Sequence, residues 1–232
     1  MLIKGLIKSS LVDYPGNIVC TIFLGGCNFK CGFCYNPELV IDINNTINLK
    51  EENILKFLDT RKGKLDGVCI IGGEPLINKD LPEFLKKIKD KGFLVKVDTN
   101  GSHPEMLKQL IKNKLVDYVS MDIKSSKKNY KQFFDKKDYI QNVENSVELL
   151  KNSNINYEFR TTIVPSIINE TEMKQICEWI KGAKKYYLQQ FDNRHKTIDP
   201  KFFKIKLYTP DQIKKFQTLA KKYVQKCEIR NI

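Results

Sequence analysis

The sequence IVCTIFLGGCNFKCGFC, residues 18–34, joins a short apolar run to three closely spaced cysteines. Residues 18–24 have the apolar, β-branched composition of a buried strand, and two glycines lead from it into the cysteines. The spacing is C-x3-C-x2-C, with Cys27, Cys31 and Cys34. Three thiolates leave one ligand of a four-coordinate zinc site or of a four-iron cluster to come from elsewhere. The stretch predicts a metal-binding loop at a strand end, either open to an outside molecule or completed by a distant histidine.

Strand and helix signals alternate along the rest of the chain. Further strands are predicted at residues 67–71, 93–97, 116–123, 157–164, 185–190 and 227–231. Helices are predicted at residues 49–58, 81–88, 103–113, 142–151, 170–181 and 210–223. This order predicts an α/β fold in which a parallel sheet with outer helices winds into a partial or closed barrel. A doubly wound open sheet is the alternative. We expect one domain over residues 1–232, with residues 1–17 as an N-terminal extension that packs on the barrel and a core at about 18–225.

Unusual polar and glycine-rich motifs follow the predicted strands. Gly72-Gly73-Glu74-Pro75 follows the second strand and Asp98-Thr99-Asn100-Gly101 the third; Asp122 and Lys124 end the fourth, and Arg160 lies in the fifth. In barrel-like α/β folds ligands bind at this edge of the sheet. Each motif also has a purely structural interpretation, since glycine pairs and Asn-Gly mark turns and the charged residues could form ion pairs. Their shared position favours a binding site.

Composition limits the partner and the compartment. The formal net charge is +13, but the lysines are scattered and no basic stripe is interleaved with aromatic residues, so no nucleic-acid partner is expected. No apolar run is long enough to span a membrane. Seven cysteines, an odd number, argue against a disulfide framework. We therefore expect a cytoplasmic protein without a membrane partner.

The cysteine loop, with the aromatic Phe33 before its last cysteine, resembles the cluster loop of radical S-adenosylmethionine (SAM) enzymes. Residues 10–16, SLVDYPG, together with residues 25–29 and 36–39, are similar to the activating enzymes of glycyl radical proteins. The likeness is greatest to the activating proteins of anaerobic ribonucleoside-triphosphate reductase. It extends from about residue 5 to residue 190.

The resemblance implies a partial (β/α)6 barrel of the radical SAM type. It implies that Cys27, Cys31 and Cys34 hold one [4Fe-4S] cluster and that SAM binds the remaining iron. Reductive cleavage of SAM would yield a 5′-deoxyadenosyl radical that takes hydrogen from a glycine of the partner reductase. The donor would be a reduced flavodoxin or ferredoxin, and no catalytic side chain is expected beyond the cluster and SAM. The residues expected to bind SAM are Gly72, Gly73, Glu74, Pro75, Thr99, Asn100, Asp122, Lys124 and Arg160.

Two departures from the family pattern stand out. Tyr35 follows the third cysteine where the family often has histidine, and no second cysteine cluster exists to hold an auxiliary iron–sulfur centre. His195 is expected to be a surface-loop histidine. Two other functions stay open: a radical SAM enzyme acting on a small molecule or an RNA base, similar to 7-carboxy-7-deazaguanine synthase, and a metal-binding or electron-transfer protein without catalysis.

Overall fold

The computed structural model describes residues 1–45, 47–134 and 139–230. In these three ranges there are eight strands: β1 Ile3–Ser10, β2 Val19–Leu24, β3 Gly67–Gly72, β4 Leu94–Thr99, β5 Tyr118–Asp122, β6 Asn156–Ile163, β7 Tyr186–Gln190 and β8 Cys227–Arg230. The α-helices are α1 Pro37–Val40, α2 Glu51–Asp59, α3 Leu81–Asp90, α4 Pro104–Lys112, α5 Tyr139–Lys151, α6 Glu170–Trp179 and α7 Pro210–Ala220. Within these residues, no helix is long and apolar enough to cross a membrane.

The alternation predicted from the sequence is confirmed. Each predicted strand and helix is present with ends shifted by a few residues; Asn231, in the last predicted strand, lies outside the described residues. The strand order is β1-β2-β3-β4-β5-β6-β7-β8. The pairs β2–β3, β3–β4, β6–β7 and β7–β8 are parallel. The fold is therefore α/β with a mostly parallel sheet, as predicted, and the sheet is open, which is consistent with the predicted partial barrel.

Strand β1 is the element that the sequence did not reveal. The N-terminal residues are expected to be an extension that packs on the barrel, and within them Ile3–Ser10 forms a strand that pairs antiparallel with β2, with two irregularities in register. Ile3 is buried, whereas most of the strand is partly or fully exposed. An edge strand of this kind has no regular apolar pattern, because only one of its residues enters the core.

The chain divides into two compact units. Unit 1 comprises Met1–Asn28, Asn36–Thr99 and His103–Val119. In it, β1 to β4 form consecutive pairs and α3 contacts β4. Because Val95 and Val97 alternate with Lys96 and Asp98, one face of β4 is apolar and the other carries a lysine–aspartate ion pair.

Unit 2 comprises Phe29–Tyr35, Asn100–Ser102 and Ser120–Ile232. Its strands β6, β7 and β8 form consecutive parallel pairs; α7 contacts β7 and β8, and α6 contacts α7. Tyr157, Phe159 and Ile163 are fully or nearly fully buried on one face of β6. The alternate residues, Glu158 and Arg160, carry charges into the other face.

Candidate cofactor site

In unit 1 the loops after β2 and β3 lie against each other, backbone to backbone. The strands are in parallel register with Leu24 opposite Gly72. Gly73 N–H donates to the Leu24 carbonyl at 2.8 Å, and Glu74 N–H donates to the Gly26 carbonyl at 2.8 Å. A Cβ at Gly72 would lie 2.3 Å from the Leu24 oxygen, and one at Gly73 would lie 1.9 Å from the Gly26 oxygen. Only glycine allows this approach, so both glycines have a structural role in addition to any contact with SAM.

Glu74 holds this turn together from inside. Its side chain is completely buried and its Oε1 accepts the Leu76 N–H at 3.0 Å, capping the short turn that begins at Pro75. The Thr99 hydroxyl, at the end of β4, donates to the same Oε1 at 2.8 Å. The sequence left open whether Glu74 binds a ligand or orients the turn, and these hydrogen bonds favour the second role.

Cys27 belongs to unit 1 and is half-buried. Its neighbour Asn28 has Nδ2 at 3.5 Å from His103 Nε2, and His103 lies directly before α4. Burial lowers the pKa of His103, so at neutral pH its ring is held in the uncharged form that accepts a hydrogen bond.

In unit 2 the cysteine loop is a turn packed by aromatic rings. Cys34 N–H donates to the Cys31 carbonyl at 2.9 Å, and Lys30 N–H donates to the Phe133 carbonyl at 2.9 Å. The Phe33 ring packs edge-on against Phe133 at a centroid distance of 6.0 Å. These contacts hold the backbone between Cys31 and Cys34 in place within unit 2, and none of them involves a cysteine sulfur.

Cys31 and Cys34, the two cysteines of the loop that belong to unit 2, differ in exposure: Cys31 is buried and Cys34 is half-buried. Burial raises the pKa of the Cys31 thiol to about 11, although the charge of Lys124 opposes the rise. Without a metal, Cys31 is therefore a thiol at neutral pH. A bound cation would displace that proton, because a coordinating cysteine is a thiolate.

Three predicted SAM-binding residues lie together in unit 2. Asp122 Oδ1 accepts Arg160 Nε at 3.0 Å and Arg160 Nη2 at 2.9 Å, and Lys124 Nζ lies 3.2 Å from Asp122 Oδ2. Burial disfavours the Asp122 carboxylate, but the charges of Arg160 and Lys124 outweigh it and lower its pKa to about 2. The ion pair expected as one role for Arg160 is thus present.

Asn100, also in unit 2, builds its own turn. Its Oδ1 accepts the Ser102 N–H at 2.9 Å and the Ser102 hydroxyl at 2.6 Å. Gly101 follows with φ +78°, and a Cβ there would lie 2.1 Å from Met121 Cε. The Asn-Gly pair is therefore the turn that its sequence indicates.

Sequence reasoning missed a second charged group on the same strand face of unit 2. Glu158 is fully buried and accepts Arg230 Nη1 at 2.6 Å, Arg230 Nη2 at 2.9 Å and the Ser120 hydroxyl at 3.0 Å. The Arg230 guanidinium also lies 3.5 Å from the centroid of the Tyr187 ring. Glu158 alternates with the apolar residues of β6, as Arg160 does. This alternation could have indicated from the sequence that both charged side chains lie on the same face of the strand.

The donor chemistry of the cysteine motif fits an iron–sulfur cluster. All seven cysteines are outside disulfide bonds, so the three thiols of the motif remain chemically available. Thiolates are the ligands that such clusters take. Within residues 1–45, 47–134 and 139–230, no three His, Cys, Asp or Glu side chains are gathered closely enough to hold a metal ion as they stand. The assignment of Cys27, Cys31 and Cys34 as ligands stays a prediction from the sequence.

Comparison with known proteins gives the family. Residues 21–180 match the Radical SAM superfamily. A Methanocaldococcus jannaschii protein named "Putative glycyl-radical enzyme activating enzyme" is 35% identical, covering 100% of this chain and 96% of its own. The pyruvate formate-lyase-activating enzyme of Clostridium pasteurianum is 28% identical over 78% of this chain and 77% of its own.

A solved structure is similar in fold. Streptococcus suis SuiB bound to S-adenosylmethionine superposes with a TM-score of 0.66 at 14% identity, covering 91% of this chain and 52% of SuiB. The chain belongs to the radical SAM superfamily. Membership implies a [4Fe-4S] cluster and SAM as cofactors.

Proposed function

We propose that the chain is a glycyl radical enzyme activating enzyme, acting in the cytoplasm on a glycine of a partner protein of the anaerobic ribonucleoside-triphosphate reductase type. The observation that carries the proposal is the 35% identity along the whole chain to a protein named as such an activating enzyme. A likeness confined to the cofactor-binding region would support the superfamily only. A match along the full length also covers the regions outside the cofactor site that would bind the partner protein.

The bound cluster and SAM would together supply a 5′-deoxyadenosyl radical by one-electron reduction. Cys27, Cys31 and Cys34 would hold the cluster, and the chemistry of their thiols fits it. Asp122, Lys124 and Arg160 would orient SAM.

The charges of Asp122, Lys124 and Arg160 support their proposed role in orienting SAM. Asp122 carries one negative charge beside the two cations Lys124 and Arg160, so the group has one positive charge in excess. A ligand carboxylate placed there gains charge-assisted hydrogen bonds without an uncompensated negative charge.

The buried turn around Glu74 supports the proposal in a different way. Gly72, Gly73 and Thr99 are committed to its packing and hydrogen bonds. These residues would shape the edge of the SAM site through the backbone that they fix. They would act as positioning residues.

The test is anaerobic reconstitution with iron, sulfide and SAM, using dithionite as reductant. We expect 5′-deoxyadenosine by chromatography and, after addition of the reductase, the EPR doublet of a glycyl radical. Deuterium at the glycine Cα of the reductase should appear in 5′-deoxyadenosine. SAM cleavage without that transfer would refute the glycine target and favour a small molecule or an RNA base.

A matched pair of cysteine variants tests the cluster ligands. Cys31→Ala should lose the iron–sulfur absorbance and SAM cleavage while keeping the circular dichroism of the fold. Cys177→Ala is the control, because Cys177 is also a buried cysteine of unit 2, on α6. If Cys31→Ala still cleaved SAM, or the protein bound no cluster at all, the ligand assignment would be wrong. An intact cluster that cleaves no SAM would favour an electron-transfer protein.

A further inference from the structure

Residues 191–206, between β7 and α7, are not used by the function proposed above. Their sequence is FDNRHKTIDPKFFKIK. The segment has five lysine or arginine residues and two aspartates, which leaves a net charge of +3 with His195 neutral. The segment also has five apolar or aromatic residues, and its cations are interspersed among its other residues rather than collected in one run.

The segment is packed directly on the cysteine loop of unit 2. Asp199 N–H donates to the Gly32 carbonyl, between Cys31 and Cys34 in sequence, at 2.9 Å. A Cβ on Gly32 would lie 2.7 Å from the Phe202 ring, so a larger residue there would force that buried ring to shift. Phe33 packs edge-on against Phe202 with a centroid distance of 6.1 Å. The loop and the segment therefore form one packed layer within unit 2.

Tyr35 ties the other end of the loop to the same segment. Its hydroxyl accepts the Asp192 N–H at 2.6 Å, and its ring stacks on Phe191 with centroids 5.3 Å apart. The His195 ring packs edge-on against Tyr35 at 5.7 Å. The departure from the family pattern at position 35 thus provides an anchor for residues 191–206.

The cationic groups of the segment point to solvent. The side chains of Arg194 and Lys201 are 83% and 69% exposed, and Lys196 is also exposed. Arg194 and Lys201 each contact a nearby aspartate of the segment. Phe203 adds an apolar side chain that is 45% exposed. The exposed side chains of the segment therefore include several cations and one large apolar group.

We propose that residues 191–206 are the docking surface for a small acidic electron-donor protein. This rests on the proposed function, because the donor would pass one electron from its reduced flavin or iron–sulfur centre to the oxidised cluster held beside this segment. The donor is oxidised by one electron, the cluster is reduced by one, and no bond forms. Exposed cations beside an apolar contact suit such a partner, since electrostatic complementarity speeds association while transient redox interfaces stay small.

The position of the segment favours a redox partner over the other classes. An electron must enter near the cluster, and residues 191–206 contact the loop that carries Cys31 and Cys34. The two aspartates among the cations would repel a phosphate backbone that follows the segment.

The experiment measures the binding of flavodoxin, an acidic flavoprotein, at low ionic strength by isothermal titration. Both the protein without its cluster and the reconstituted protein are used, so the result does not depend on catalysis. The test variant combines Arg194→Glu, Lys196→Glu and Lys201→Glu. The control reverses three exposed lysines elsewhere on the chain, each paired with a nearby acidic residue, in the variant Lys62→Glu, Lys86→Glu and Lys174→Glu.

We expect Kd for flavodoxin to rise at least tenfold in the test variant and less than threefold in the control. Cluster reduction by flavodoxin should slow by the same factor, whereas reduction by dithionite should be unchanged, because dithionite is a small molecule that needs no docking surface. Wild-type binding should weaken as salt rises. Circular dichroism checks that each variant is folded.

Three results would overturn the docking surface: unchanged flavodoxin binding by the test variant, an equal loss in the control, or tighter binding of a single-stranded RNA oligonucleotide that depends on the same three residues. The last result would identify a nucleic-acid site. A wild-type protein that makes no 5′-deoxyadenosine with dithionite would refute the proposed function instead, and the titration would still decide whether the surface binds the donor.

Discussion

An alanine at Gly73 would place a methyl carbon 1.9 Å from the Gly26 carbonyl oxygen and 2.6 Å from the Gly26 carbonyl carbon. Both atoms belong to the backbone, so neither can rotate away as a flexible side chain would. The loops after β2 and β3 would have to separate by about 1 Å or more to reach an ordinary contact distance. That movement would break the hydrogen bond from Glu74 N–H to the Gly26 carbonyl, which is 2.8 Å long.

The cost follows from these two effects. Overpacking a well-packed region costs about 1–3 kcal/mol. Losing one hydrogen bond adds about 1 kcal/mol. We expect Gly73→Ala to lower the free energy of unfolding by roughly 2–4 kcal/mol, measured by urea denaturation of the cluster-free protein with circular dichroism.

Gly92→Ala is the matched control for this change. Gly92 has φ +89°, and nothing lies within 4 Å of a Cβ built there. Its replacement costs only the strain of a left-handed backbone, about 1–2 kcal/mol. If Gly73→Ala is no less stable than Gly92→Ala, the close apposition of the two loops is not what requires glycine, and the argument fails.

Two further predictions concern the charged groups of unit 2. Because the pKa of Asp122 is about 2, below its usual value of about 3.9, its ion pairs stabilise the fold fully above about pH 4 and lose this effect as the pH falls from about 4 to 2. Because a third of the Asp122 side chain is exposed, the ion pairs stabilise the fold by only about 1–2 kcal/mol. The difference in unfolding free energy between wild type and Asp122→Asn should therefore shrink as the pH falls from about 4 to 2. A difference that stays constant over this range would contradict the lowered pKa of Asp122. Arg230→Met leaves the buried carboxylate of Glu158 without its ion pair and should lower the free energy of unfolding, measured by urea denaturation, by about 3 kcal/mol. Lys226→Met loses only an exposed ion pair and should be nearly as stable as wild type. Equal losses of stability in the two variants would show that burial of the Glu158 ion pair is not what matters.

The strands that decide the fold could be predicted because their patterns are local. Apart from Thr21, residues 18–24 and 67–71 are apolar, as buried parallel strands are, and both were found close to their predicted ends. Lys96 was also placed in a strand despite its charge, because its neighbours are apolar. The structure supplies the reason that this charge is tolerated, which is an ion pair with Asp98. Strand β1 lacked such a local pattern and was missed.

The roles of the candidate site residues depended on partners that are distant in sequence. Glu74 and Thr99 are 25 residues apart, and nothing in either motif indicates that the hydroxyl donates to the carboxylate. Glu158 and Arg230 are 72 residues apart, and the arginine lies in the short last strand. The sequence identified positions at strand ends correctly, but pairing between such positions depends on register and rotamer, which only the folded chain defines.

The distribution of charge within unit 2 suggests where a carboxylate of SAM would bind. The Glu158 carboxylate and the Arg230 guanidinium form a pair with no net charge, and an added anion there would have to displace a buried carboxylate. Asp122, by contrast, is paired with two cations, Lys124 and Arg160. An incoming carboxylate could share those cations with Asp122 and bring the group to neutrality. Under the proposed function, the two cations beside Asp122 favour the end of β5 over the interior of β6 as the place of SAM binding, with Arg160 as a proposed ligand contact, whereas Arg230 pairs with Glu158 within the sheet.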